Sequence, residues 1–148
     1  MTQGRDTTGR RETGADETLA EAFRSVARQL RETSQETLAP WDITPSHFRA
    51  LSVLKRHGVM RLSDLSEHLR IAARSTTEVV DALESRDLVE RRADPGDRRA
   101  TLVELTEHGT SILDAVRAAR GTEAERVFGR LSQTDRDHLA RILRKLKN

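Results

Sequence analysis

With 148 residues the chain fits one domain with extensions, since domains commonly run to about 100 to 200 residues, and it leaves no room for two independent enzyme domains. Leu, Ile, Val and Phe make up about 22 percent of it, just above the roughly 20 percent below which charged chains tend to be disordered; with 3 percent aromatic and 34 percent charged residues, it predicts thin helical layers or a core shared between subunits. The pI near 9.6 is a weak pointer to nucleic acid, because the formal charge is only +2 and a chain without Tyr or Cys has little to titrate between about pH 7 and 10.

Residues 1–15 are polar, rich in Gly and Thr and without periodicity, which predicts a disordered arm ahead of a single domain over 16–148. From Asp16 to about Leu38, apolar residues at Leu19, Phe23, Val26, Ala27 and Leu30 mark one face of a helix that Asp16 and Glu17 start and Pro40 ends. Thr44-Pro45 opens a second helix, with Thr as N-cap and Pro at the first helical position, running to about His57 before Gly58. Ser63 begins a short helix with Leu62, Leu65 and Leu69 on its apolar side. After a break at 70–73, another helix over about 73–86 turns Val79, Val80 and Leu83 inward.

Two short helices joined by about four residues form a helix-turn-helix candidate. Val89–Arg92 and Thr101–Leu105 follow as two strands around Asp94-Pro95-Gly96-Asp97-Arg98-Arg99, where Pro-Gly predicts a type II turn with a charged tip, a wing. Thr106 caps a long helix through about Phe128 that carries Ile112, Leu113, Val116 and Val127. Ser132 with Asp135 opens a last helix striped by Leu139, Ile142, Leu143 and Leu146.

The fold class is therefore mainly α with a small β-hairpin wing. A helix beginning near Ala73 fits a major groove about 12 Å wide, and an Arg-bearing hairpin reaches phosphates or the adjacent minor groove, so groove plus wing implies duplex DNA. Net charge does not make this case: residues 61–99 hold 8 Arg against 9 Asp and Glu. The case needs placement, with Arg74 at the helix start and Arg91, Arg92, Arg98 and Arg99 on the hairpin directed at DNA. The competing reading is a winged-helix module that binds another protein and has no specific use for DNA.

The chain resembles the MarR-type (multiple antibiotic resistance regulator) winged-helix transcription factors. The likeness is carried by Ile43-Thr44-Pro45, Arg61-Leu62-Ser63-Asp64-Leu65, the run from Thr77 to Glu84, Leu88-Val89-Glu90-Arg91, the wing Asp94 to Ala100, and Leu105-Thr106; it extends over about 16–146. It implies a winged helix-turn-helix lobe over about 44–106 and a homodimer whose dimerisation helices, 16–38 and 107–148, interleave. Leu19, Phe23, Val26, Ile112, Leu139, Ile142 and Leu146 are then interface candidates. It also implies that Arg99 enters the minor groove from the wing tip, that Asp97 orients the wing, and that Arg74, Ser75, Thr77 and Glu78, with Arg91 and Arg98, face bases or phosphates. Two-fold symmetry then asks for a pseudo-palindromic operator with half-sites about one helical turn apart, and a repressor is the reading the resemblance favours. Four positions depart from the family pattern: Ala72 where a polar N-cap is usual, Arg70 and Asp87 at turn positions usually held by Gly, and Glu78 at a frequent Arg or Lys.

Relatives of this type often release DNA on binding a small aromatic, anionic molecule, and Phe23, Trp41, His47, Phe48 and Arg49 are the residues expected to line such a cleft. No cofactor and no metal are expected. There is no cysteine, and His47, His57, His68, His108 and His138 form no ligand spacing. A hydrolase or nucleotide-binding enzyme is excluded by the lack of Gly-x-Ser-x-Gly and of any Gly-rich phosphate loop. With no run of about 18 apolar residues and no hydrophobic segment in the first thirty, no membrane contact is expected and the location is expected to be cytoplasmic.

Overall fold

The computed structural model describes residues 17–147, so the expected arm over 1–15 and the helix start at Asp16 lie outside the described residues. Helix α1 (Leu19–Leu38) takes Thr18 as its N-cap. Its hydroxyl accepts from the Glu21 amide while the Glu21 carboxylate accepts from the Thr18 amide, a reciprocal cap. A short 3-10 turn at Ala39–Trp41 follows, then α2 (Pro45–His57), capped by Thr44 as expected. The sheet has three strands, one more than the hairpin predicted: β1 (Met60–Arg61), β2 (Val89–Asp94) and β3 (Asp97–Leu105), in the order β1-β3-β2 and antiparallel throughout. Two residues are too few for an alternation to show, which is why β1 is silent in the sequence. Between β1 and β2 lie α3 (Leu62–Leu69) and α4 (Ala73–Glu84); after β3 come α5 (Glu107–Phe128) and α6 (Gln133–Leu146).

The core gathers in the winged lobe. Leu51, Leu54, Leu65, Val80, Leu83, Val89, Val103, Leu113 and Val116 are fully buried there, so the first half of α5 belongs to the lobe and the second half leaves it. Gly109 shows how close that seam is: a Cβ there would lie 2.0 Å from the Leu88 carbonyl oxygen. Gly121, by contrast, interrupts nothing, and α5 runs through it continuously.

Two turns depart from expectation in physical detail. Gly96 does not take the positive φ that a type II turn requires, so the Pro-Gly turn is of another kind; the Asp94 carboxylate accepts from the Gly96 amide at 2.9 Å and closes the tip instead. Arg70 and Asp87 do occupy the left-handed region, at φ 54° and 59°, where the family pattern places Gly. Asp42 is left-handed too, and its carbonyl and that of Trp41 both accept from the Arg86 guanidinium, the first at 2.6 Å. Arg86 lies two residues beyond α4, so it ties the exit of that helix to the turn between α1 and α2.

His47 completes the Thr44 cap in place of the usual acid: its Nδ1 accepts from the Thr44 amide at 3.3 Å, which requires the neutral ring. Burial, and then the nearby Arg86 charge, hold its pKa below the ordinary 6.5, against a smaller opposing pull from Asp42. A base whose folded pKa is depressed stabilises the fold fully above its unfolded value and loses that contribution as pH falls through it. Melting temperature should therefore drop between about pH 7.5 and 5.5, with a shallower slope in His47→Gln, and thermal scans of both proteins across that range check it.

Candidate nucleic-acid interface

Helix α4 has an inner and an outer side set by the 3.6-residue period. Thr76, Val80 and Leu83 point into the core, while Arg74, Ser75, Thr77 and Glu78 stand exposed on its first turns. Ala72 supplies no side-chain cap, as the sequence indicates. The start of α4 is secured from within: Ser66 of α3 donates to the Thr76 hydroxyl at 2.8 Å, and Thr76 donates back to the Ala72 carbonyl at 3.2 Å. This fully buried hydroxyl fixes the angle between the two helices, and it is a residue the sequence reading passed over. Outside, Arg74 and Glu78 form a loose i,i+4 pair at 3.5 Å with both side chains largely in solvent, and the Thr77 hydroxyl is turned back onto the Ala73 carbonyl at 3.1 Å. Such an exposed pair contributes little and opens readily.

The four wing arginines, with Arg61 of β1, separate into two groups. Arg91 is not free: its guanidinium spans the Asp81 and Glu84 carboxylates of α4 and its amide donates to Glu84 at 2.9 Å. Burial works against its charge, but the two carboxylates outweigh it and hold its pKa above the ordinary value. Arg92 reaches Glu104 across the hairpin at 3.4 Å. Arg98 and Arg99, at the tip, form no ion pair among the described residues. Asp97 accepts from the Arg99 amide at 3.0 Å and so shapes the backbone that presents that side chain. Arg61, absent from the expected set, grips Asp94 with Nε and Nη2, each at 2.8 Å. Asp94 is thereby held ionised, its pKa lowered first by the Gly96 amide and then by Arg61.

The residues expected to line one ligand cleft do not come together. Phe23 is 56 percent exposed and lies with Leu19, Val26, Leu30, Leu139 and Leu143 along an apolar cavity of about 420 Å³. Trp41 lines a separate cavity of about 320 Å³, His47 is spent on its cap, Arg49 donates to the Leu69 carbonyl at 2.8 Å, and Phe48 lies under the Arg120 guanidinium, 4.4 Å from the ring centre. The cavity between α1, α2 and α5, about 500 Å³, is walled instead by Leu30, Arg31, Ser34, Gln35, Pro45, Arg120 and Glu123. A signal for it was present: Leu113, Val116, Arg120, Glu123 and Val127 follow one helical stripe, and two charges on an apolar stripe ask for a reason.

Of the interface candidates, Leu19, Phe23, Val26, Ile142 and Leu146 are exposed apolar side chains, and Leu139 lines the same apolar cavity. Ile112 is half-buried and packs against the protomer's own core beside Leu113. Helix α6 buries none of its residues.

A model described as "MarR family" matches residues 43–101, which hold α2, α3, α4 and most of the wing. The HTH-type transcriptional repressor NicR of Pseudomonas putida is 30 percent identical over 138 residues, covering 88 percent of this chain and 87 percent of NicR. The chain belongs to the MarR family. It is thus a winged-helix DNA-binding transcription regulator and not an enzyme. Among solved structures, the transcriptional repressor CouR bound to a 23-mer DNA duplex aligns at a TM-score of 0.79 with 26 percent identity, over 88 percent of this chain and 93 percent of that one. A structure of Bordetella bronchiseptica BpsR, described as showing regulation of DNA binding by 6-hydroxynicotinic acid, aligns at 0.75 with 25 percent identity, over 89 and 94 percent.

Within this MarR-family lobe, Thr76 carries the helix-turn-helix angle. Thr76→Val keeps the shape but strands the Ser66 hydroxyl, and should cost about 1–3 kcal/mol in denaturant unfolding, whereas Thr76→Ser should stay close to wild type.

Proposed function

We propose that the chain is a cytoplasmic, homodimeric repressor that occupies a pseudo-palindromic duplex operator and leaves it when a small anionic aromatic molecule binds. The observation that carries the DNA contact is the pair of unpaired guanidinium groups, Arg98 and Arg99, at the tip of a hairpin whose other arginines are already engaged. Arg99 is the groove or phosphate contact, presented by Asp97; Arg98 is its neighbour on the backbone. Ser75 and Thr77 on α4 reach base edges or phosphates, Arg74 can fork onto guanine once it parts from Glu78, and Glu78 accepts from a base such as cytosine. Arg91 is not among these contacts, since releasing it from two carboxylates costs more than one phosphate contact returns. CouR on duplex DNA supports this reading, and the repressor NicR supports its sign.

The homodimer reading rests on α6. A 14-residue helix with no buried side chain is marginal in water, yet it carries Ile142, Leu143 and Leu146 exposed at 47, 36 and 71 percent beside the equally open Leu19, Phe23 and Val26 of α1. A second copy covers these faces, and its two-fold axis accounts for a palindromic site. The anion seat is the cavity lined by Arg31 and Arg120, two guanidinium groups against the one carboxylate of Glu123. The described regulation of BpsR by 6-hydroxynicotinic acid supports an effector of that charge.

The wing assignment is tested by selecting bound duplexes from a random pool and titrating the winner at several salt concentrations. Arg99→Ala should weaken binding across all sequences and reduce the slope of log K against log salt by about 1, and wild-type affinity in that variant would remove the wing from the interface. Ile142→Glu should yield monomers in sedimentation equilibrium and lose cooperative operator binding; a dimer of unchanged strength would place the interface elsewhere.

A further inference from the structure

Helix α4 has three carboxylates, and the wing takes two of them: Asp81 and Glu84 are held by Arg91. Glu78 is left on the surface. Its side chain is 69 percent exposed, its one ion-pair partner among the described residues is Arg74, a turn earlier and 92 percent exposed, and the 3.5 Å between them leaves both groups free to take a better partner. The 3.6-residue period sets Arg74 and Glu78 opposite the buried Val80 and Leu83, with Ser75 and Thr77 to either side. In a helix laid into a major groove, the line opposite the core meets the floor, where the base edges are, and the flanks meet the phosphate walls.

We propose that Glu78 sets the operator sequence by selecting a cytosine in each half-site, within about two base-pair steps of a guanine taken by Arg74. The selection rests on the operator reading above and narrows an acceptor contact to one base. A carboxylate only accepts, so guanine, with N7 and O6, and thymine, with O4 and a methyl group, give it nothing. Adenine offers an N6–H donor, but the N7 lone pair beside it repels the second carboxylate oxygen. Cytosine offers N4–H next to a C5–H edge, and it alone receives both oxygens without repulsion. Arg74 has the reverse requirement, five donors and no acceptor, and guanine N7 and O6 answer it. Four residues of helix rise about 6 Å against 3.4 Å per base pair, which keeps the two bases within about two steps of each other. Burying both charges in a groove without these partners leaves each desolvated and unpaired, so other sequences are excluded as much as this one is attracted.

Duplexes are selected from a random pool by the intact wild type, Glu78→Gln and Glu78→Ala, and the winners are titrated at fixed salt. The wild-type consensus should hold one cytosine per half-site whose change to adenine lowers affinity about tenfold or more. Glu78→Gln should carry adenine at that same position, because an amide donates to N7 while it accepts from N6–H, and should leave the other positions unchanged. Glu78→Ala should lose the preference there, and Arg74→Ala should relax a guanine at most about two steps away. A consensus that is the same with Glu, Gln and Ala at this position overturns the assignment and leaves DNA binding intact. So does a uniform gain of affinity in Glu78→Ala over every sequence, the mark of a carboxylate that meets only backbone phosphate. A wild type that selects no sequence, with no slope of log K against log salt, takes the operator reading down as well.

Discussion

The geometry of the winged lobe depends on the Arg91 guanidinium held between Asp81 and Glu84. A hairpin of two short strands is marginal alone in water. This one is joined along β3 to the two-residue β1 and along β2 to α4, and Arg91 is where the second junction becomes electrostatic. One planar cation with two carboxylates on successive turns of a helix fixes both a distance and an orientation. The Arg61 grip on Asp94 does the same nearer the tip. Two of the eight arginines that first suggest a polyanion are therefore framework, and their use as framework is what leaves Arg98 and Arg99 held out from it.

That division explains why the charge balance of residues 61–99 misleads. A third of the carboxylates that make the segment acidic by count are held in the frame of the wing: Asp81 and Glu84 on Arg91, Asp94 on Arg61 and on the tip amide. An acidic tally then describes a braced hairpin as readily as a surface hostile to phosphate. Nucleic-acid affinity is set by the cations left over at the point of approach.

Most of the architecture was legible from spacing. Thr44-Pro45, Thr106 and Ser132 each cap the helix they predict, and the inward residues of α4 follow the 3.6 period. What was not legible has physical causes. The strand β1 is too short to alternate. The Pro-Gly turn depends on an Asp94 side chain that reaches its own backbone, an option the dipeptide alone does not reveal. The aromatic residues grouped as one cleft are neighbours in composition and not in space, because Phe23 lies on the apolar face of α1 while Trp41 sits past its end. Arg91 looked like its neighbours in sequence; only the position of α4 distinguishes it.

Arg86 gives the two halves of the molecule a common rivet. Its guanidinium is seated on two consecutive main-chain carbonyls in the turn between α1 and α2, and its own backbone is the first turn out of α4. The end of α1 and the exit of α4 are therefore fastened by a direct polar clasp in addition to the apolar core they share.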